Sequence, residues 1–243
     1  MLQKDKKGFY QLTTLNLPHE LTHGFSTVKD GNMHLGQEKN VSNFLKKLGS
    51  RVPFVRPNQV HSSRVEFVSG ADSGRTLEKV DGLITKTKNL ALLVRTADCL
   101  PILAVDPVQK IIGTAHSGWR GTRDAIAKNL IRGFVDLGAN VQDIKIGFGP
   151  CIGPCHYEIK NDVSEQMKTV GLESALRKRE EKIYFDLKKA NLMQLISVGI
   201  LEKNIDGLEN ICTFEERDFY SFRRDKKLQA NVGIIVSITS RLV

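Results

Sequence analysis

Stretches of this chain that read as β-strands follow one another without a helix between each pair, and that pattern constrains the fold more than any other feature. The strand candidates in the first part of the chain are Phe9–Thr14, Arg64–Val68, Leu90–Arg95, Pro101–Val105, Lys110–Ala115 and Asp143–Phe148. Lys182–Phe185, Leu208–Thr213, Phe219–Arg223 and Gln229–Ile238 follow. Asp106-Pro107 marks a turn between two of them. Helical spacing of apolar residues appears at fewer places. Ile126, Leu130, Ile131, Phe134 and Leu137 share a face between Thr122, a candidate N-cap, and Gly138. Val41, Phe44, Leu45 and Leu48 do the same before Gly49. Two more helices are expected, one capped by Asp186 and ending at Gly199, the other running from near Asp162 to Gly171. Strands that outnumber helices and do not alternate with them predict an α+β fold around a large mixed sheet packed by helices. No repeat or linker divides the chain, so residues 1–243 are expected to form one domain.

Composition narrows the function classes. The 243 residues carry a formal charge of +9, which favours anionic ligands, phosphate among them. Aromatics make up 7% and do not interleave with basic residues, so a nucleic-acid platform is not expected. The densest basic run, Arg177–Lys182, is interrupted by Glu180 and Glu181 and reads as a solvated face. Apolar runs are too short to span a bilayer, and the opening residues lack the apolar stretch of a secretory signal, so a cytoplasmic protein without membrane association is expected. Reduced cysteines fit that setting. Cys151 and Cys155, with three residues between them, match neither a zinc ribbon nor a thioredoxin motif and are expected to pack.

Chemistry concentrates in three segments: Asn58–Ser63, Arg95–Leu103 and Gly113–Thr122. Each sets a reactive side chain at the edge of a strand candidate, where little freedom remains to be lost: His61, Cys99 and His116. Two imidazoles and a thiolate suit a catalytic zinc site, which uses three protein ligands and leaves a fourth position for water or substrate. Spacing alone is weak evidence and favours a buried Cys99 and two unrelated histidines. Asp98 is a candidate general acid/base or orienting group. Gly118 and Gly121 flank Arg120, whose planar guanidinium suits phosphate. The loop Gly147–Ile159 offers His156, Tyr157 and Glu158, and Phe219–Asp225 sets Arg223 and Arg224 beside aromatics.

At these residues the chain resembles the laccase-domain family, also called the YfiH family or multicopper polyphenol oxidoreductases. The matching stretches are GFST (24–27), QVH (59–61), VDGLIT (80–85), TADCLPIL (96–103) and AHSGWRGT (115–122). GPCIGPCHYEI (149–159), FDL (185–187), CT (212–213) and FYSFRRD (219–225) complete the series in the family's order. The resemblance implies a YfiH-like α+β domain with a metal on His61, Cys99 and His116. It further implies zinc-dependent phosphorolysis of adenosine and inosine to base and ribose 1-phosphate, with methylthioadenosine phosphorolysis and adenosine deamination beside it. Catalysis would then fall to Cys99, Asp98 and Arg120, and contacts to nucleoside and phosphate to His34, Gln59, Arg120 and Arg224. Copper is the alternative metal, giving a polyphenol oxidase. A cysteine hydrolase or peptidoglycan-precursor editing factor using Cys99 and His116 is the other alternative. The chain departs from the family in a shortened segment after GFST, in His34 where Asn is usual, in Ser62 after QVH, and in LQANVG (228–233) where a terminal TGR is usual.

Overall fold

A computed structural model describes residues 1–17, 21–209 and 211–237. In chain order the strands are β1 (Leu2–Lys4), β2 (Tyr10–Leu12), β3 (Leu21–Phe25), β4 (Phe54–Asn58), β5 (Val65–Phe67) and β6 (Thr76–Glu78). Next come β7 (Gly82–Thr85), β8 (Ala91–Thr96), β9 (Leu100–Asp106), β10 (Ile111–Ser117) and β11 (Lys145–Phe148). The last are β12 (Glu158–Ile159), β13 (Leu176–Arg179), β14 (Lys182–Phe185), β15 (Ile205–Asp206) and β16 (Asn231–Ser237). The helices are α1 (Glu38–Lys47), α2 (Trp119–Arg123), α3 (Ile126–Asp136), α4 (Asn161–Thr169), α5 (Leu187–Ser197) and α6 (Phe222–Asp225). The architecture is α+β, but the expected single sheet is replaced by two. Among the described residues one sheet has the order β1-β2-β3-β16-β8-β4-β6 and the other β15-β11-β9-β10-β7-β5, with a small β12-β14-β13 sheet beside them. Both large sheets mix parallel and antiparallel pairs: β4 runs parallel to β8 and β6, and β16 antiparallel to β3 and β8.

The layering follows from side-chain alternation. Leu92 and Val94 of β8 join Leu103 and Val105 of β9, Ile112 of β10 and Ile235 of β16 in a core between the two sheets. The alternate residues Ala91 and Leu93 face outward with Val232, Ile234 and Val236, and are covered by Val41, Phe44 and Leu45 of α1. On the far side Ile102, Ala104, Ile111 and Ile146 pack with Leu130, Ile131 and Phe134 of α3 and with Leu187 and Leu195 of α5. Strands buried on both faces read as unbroken apolar runs rather than alternating ones. That is why β8, β9 and β10 stand out in the sequence. α3 presses close on this sheet at Gly113, where a Cβ would meet Phe134 at 2.7 Å, and at its own Gly133, where a Cβ would meet Ile84 at 2.4 Å.

Local signals decided several elements and failed at others. Asp186 caps α5 as expected, accepting from the Lys189 N–H at 3.0 Å. Thr122 does not cap α3. It lies inside α2, and the chain reverses at Ala125 in the left-handed region (φ 60°) before α3 starts. Phe219–Arg223 is not a strand: Ser221 accepts from Arg224 N and starts α6. The described part of Leu208–Thr213 is likewise no regular strand, and only Cys212 makes a bridge, to Cys151. Position 210 in that segment, and position 238 at the end of Gln229–Ile238, lie outside the described residues. No helix among the described residues is long and apolar enough to cross a membrane.

Candidate functional site

The three reactive side chains meet at one end of both large sheets. His116 lies in β10, Cys99 in the bend between β8 and β9, and His61 in the loop after β4. Their donor atoms all lie within 4.8 Å of one another. Cys99 Sγ is 3.8 Å from His61 Nε2, and the two imidazole rings stand edge to face at 4.7 Å.

Asp81, at the entrance to β7, sets this geometry and was not among the residues picked out from the sequence. It is fully buried. Its carboxylate accepts from three successive backbone N–H groups, Val60 (3.1 Å), His61 (3.0 Å) and Ser62 (2.8 Å), and from the Ser62 hydroxyl (2.8 Å). Those bonds hold His61 in the left-handed region at φ 63°, a costly conformation for a residue with a Cβ. Asp81 Oδ1 also meets His116 Nδ1 at 2.8 Å, and the Asp81 carbonyl accepts from His116 N at 2.8 Å. With Nδ1 so engaged, His116 offers Nε2 to the cluster. Burial alone would raise the Asp81 carboxyl, but the His116 and Ser62 hydrogen bonds override it and hold it at about 2. Burial likewise opposes charge on His116 and Cys99. Their mutual attraction, helped at His116 by Asp81 and at Cys99 by His61, wins, raising the imidazole and lowering the thiol. The arrangement thus favours the ionised thiol and the protonated ring against the cost of burial.

The donor set fits a tetrahedral zinc-type ion. Ligand bonds of 2.0–2.3 Å place neighbouring donors about 3.3–3.8 Å apart, and the 3.8 Å between Cys99 and His61 matches. Space for an ion is kept by Gly118, where a Cβ would lie 2.9 Å from Cys99 Sγ and 2.9 Å from His61 Cδ2. Among the described residues three protein donors belong to the cluster, which leaves one tetrahedral position for a further ligand.

The cluster opens into a cavity of about 640 Å³, within the size range of small-molecule sites. Leu35, Ile152, Tyr157 and Phe222 supply apolar wall, and Arg95, Arg223 and Lys227 supply positive charge. Burial pulls Arg95 down to about 10, still high enough to keep it charged at neutral pH. Arg223 donates to the Glu158 carbonyl at 3.0 Å and lies 5.4 Å from the Tyr157 ring centre.

The other candidates are distributed unevenly. His34 and Gln59 line the cavity, although Gln59 spends both ends of its amide on the Arg95 backbone, at 2.7 and 2.9 Å. Asp98 also lines it, in the left-handed region at φ 93°. Its carboxylate accepts from Thr213 Oγ1 at 2.7 Å and Arg223 N at 2.6 Å, a posture that positions the neighbouring Cys99. Arg120 does not line the cavity; its side chain is exposed on α2 and its guanidinium stacks 4.4 Å from the Trp119 ring centre. Arg224 is also elsewhere. It donates to the carbonyls of Thr213, Phe214 and Phe219 and to Asp225, so no donor remains for phosphate. The arginine that faces the cavity is its neighbour Arg223. In a four-residue helix, adjacent side chains point to different sides, and the FRRD string does not reveal which turns inward.

Residues 22–240 match the family described as Multi-copper polyphenol oxidoreductase laccase. A purine nucleoside phosphorylase of Deinococcus radiodurans is 35% identical over 77% of this chain and 71% of its own length. Adenosine deaminase RL5, from an unknown prokaryotic organism, is 32% identical over 70% of this chain and 69% of its own. Among solved structures, YlmD from Geobacillus stearothermophilus superposes with a TM-score of 0.88 at 26% identity, covering 98% of both chains. With the TADC and AHSGWRG segments folded into one three-donor cluster inside that shared architecture, the chain belongs to the multi-copper polyphenol oxidoreductase laccase family, the family of YfiH and YlmD.

Proposed function

We propose that this protein is a zinc-dependent purine nucleoside phosphorylase that also deaminates adenosine. The observation that carries the reading is the pairing, in one cavity, of an open three-donor metal cluster with three cationic side chains and an apolar wall. The names of the relatives in Deinococcus radiodurans and of RL5 point to the same two reactions. His61, Cys99 and His116 would hold the ion. When bound, zinc supplies Lewis acidity at neutral pH.

The remaining steps belong to the chain. Arg95, Arg223 and Lys227 attract phosphate and neutralise it as an oxygen bonds to the ribose C1′ and the C1′–N bond to the base breaks. The base leaves with the proton that hydrogen phosphate gives up, and ribose 1-phosphate remains. Leu35 and Phe222 offer apolar surface to a purine ring, while His34 and Gln59 border the same space. Asp98 and Gln59 act as positioning residues, fixing the Cys99 bend and the Arg95 strand. Methylthioadenosine fits the same scheme because its 5′ thioether is apolar. The unit that does this spans most of the chain, since the cavity takes residues from His34 through Ala230.

The test is incubation of purified protein with phosphate and either adenosine or inosine. Phosphate-dependent release of adenine or hypoxanthine, and ammonia from adenosine, are expected. No base and no ammonia at high enzyme concentration rejects the reading.

A second reading is favoured by one observation, the Asp81–His116–Cys99 relay, which is also the layout of a cysteine nucleophile with an oriented base. Activity that survives exhaustive chelation would select it over the metal enzyme. A polyphenol oxidase carrying several copper centres is less well supported. Among the described residues only His61 and His116 share a donor cluster with another histidine.

A further inference from the structure

A second group of metal-type donors lies outside the cavity cluster. Cys155, His156, Cys212 and Glu215 present two sulfurs, a ring nitrogen and a carboxylate oxygen, all within 4.8 Å of one another. Cys212 Sγ is 3.9 Å from His156 Nδ1, and His156 Nδ1 is 3.4 Å from Glu215 Oε1. Donors on a tetrahedral zinc ion stand about 3.3–3.8 Å apart, so these two separations are close to ligating ones. Two further features suit a thiolate site. The Gly153 N–H donates to Cys212 Sγ at 3.2 Å, a bond that grows stronger once the sulfur is ionised. A side chain at Gly153 would crowd the Cys155 sulfur, its Cβ falling 3.0 Å from Cys155 Sγ, and would touch Cys212 Sγ at 3.6 Å.

We propose that Cys155, His156, Cys212 and Glu215 bind one zinc ion as a closed, structural site. Four protein donors complete a tetrahedron, in contrast to the three of the cavity cluster, so this ion would have no position for substrate. Two soft thiolates and an imidazole select zinc over magnesium or calcium. Binding releases the two thiol protons to solvent and leaves the cysteines as thiolates. Cys212 is buried, whereas the side chains of His156 and Glu215 are 33% and 53% exposed, which gives the ion a route in.

The site's position gives it a consequence. Cys155 and His156 belong to the loop that continues into Tyr157, a wall of the cavity. Cys212 precedes Thr213, whose N–H donates to the Cys151 carbonyl at 3.0 Å and whose hydroxyl holds Asp98. An ion here would tie the two segments together and brace the bend that presents Cys99. The proposal does not rest on the reaction assigned to the cavity.

The experiment measures zinc per chain by mass spectrometry of the element, on full-length protein purified with reductant and passed over chelating resin. Every arm carries Cys99→Ser, which removes the cavity thiolate, so failure here leaves the cavity reading untouched. One equivalent of zinc is expected in Cys99→Ser protein, and its loss on adding Cys155→Ser. Adding His156→Gln, which alters a half-exposed side chain and keeps both thiols, is expected to lose the same equivalent while circular dichroism is unchanged. Cobalt in place of zinc should give a thiolate charge-transfer band in Cys99→Ser protein that disappears with Cys155→Ser. Less than a tenth of an equivalent in Cys99→Ser protein overturns the proposal. So does an equivalent that survives both Cys155→Ser and His156→Gln, or a Cys155–Cys212 disulfide whose reduced form takes up no zinc.

Discussion

Asp81 Oδ1 and His116 Nδ1 stand 2.8 Å apart at a position closed to solvent, and the same carboxylate gathers the three N–H groups around His61. One buried charge therefore orients two of the three donors of the cavity cluster. Asp81→Asn keeps the size and loses the charge that fixes the His116 tautomer. Its zinc affinity is expected to fall about 10–100-fold, as for other partners of metal-ligating histidines. Competition with a chromogenic chelator measures this, and an unchanged dissociation constant would refute the orienting role.

Gly118 makes a separate point, because its backbone (φ −81°, ψ 178°) is open to any residue and only space forbids a side chain. Gly118→Ala puts a methyl 2.9 Å from Cys99 Sγ and His61 Cδ2. The protein should fold with a stability loss of about 1–3 kcal/mol and fail to retain metal at the cavity cluster. Thermal melts and metal analysis on the Cys155→Ser background separate the two effects.

Arg223 and Arg224 should behave oppositely. Arg223→Ala is expected to raise the KM for phosphate about tenfold or more, which is the loss of about 1.4 kcal/mol of binding, with little change in melting temperature. Arg224→Ala leaves carbonyls of Thr213, Phe214 and Phe219 without their donor. A stability loss of about 2–3 kcal/mol is expected. Equal effects of both variants on phosphate KM, at unchanged stability, would contradict the assignment.

Acid sensitivity should trace to His23. It is buried, and its Nε2 accepts from the Leu12 N–H at 2.9 Å, so the folded protein needs the neutral ring. Burial lowers its pKa from 6.5 to about 4. The unfolded chain therefore binds the proton first, and stability is full above pH 6.5 and falls as pH drops towards 4. About 2 kcal/mol should be lost between pH 7.5 and 5. Urea titrations of wild type and His23→Gln across that range test it, and the variant's slope should be the flatter one. Equal slopes would remove His23 as the cause.

How much of this was legible beforehand depended on the range of the interaction. The apolar runs of β8, β9 and β10, the Asp186 cap and the α1 face are set by neighbours within a few residues, and they read correctly. Short strands such as β4, with Pro57 inside it, and β15, two residues long, carry too little local signal and went unnoticed. Phe219–Arg223 has strand-like composition, yet the Ser221 hydroxyl captures the Arg224 N–H and turns it into a helix. The cavity trio was chosen for its placement at strand edges and its match to family motifs. The Asp81 anchor lay unmarked inside VDGLIT, because an aspartate before a strand has no signature of its own.

By itself, the sequence determined the α+β class, the apolar faces of α1 and α3 and the family, and it singled out His61, Cys99 and His116. Tertiary structure alone decided that the strands divide into two stacked sheets, that Arg223 and not Arg224 faces the cavity, and that Cys155 meets Cys212. Periodicity and capping are energies between residues a few positions apart, and a single chain displays them. Which side chain turns inward, and which sulfur finds which, is settled by packing between segments far apart in the chain, as in the bonds from Asp81 to His61, 20 positions apart, and from Arg223 to Asp98, 125 apart.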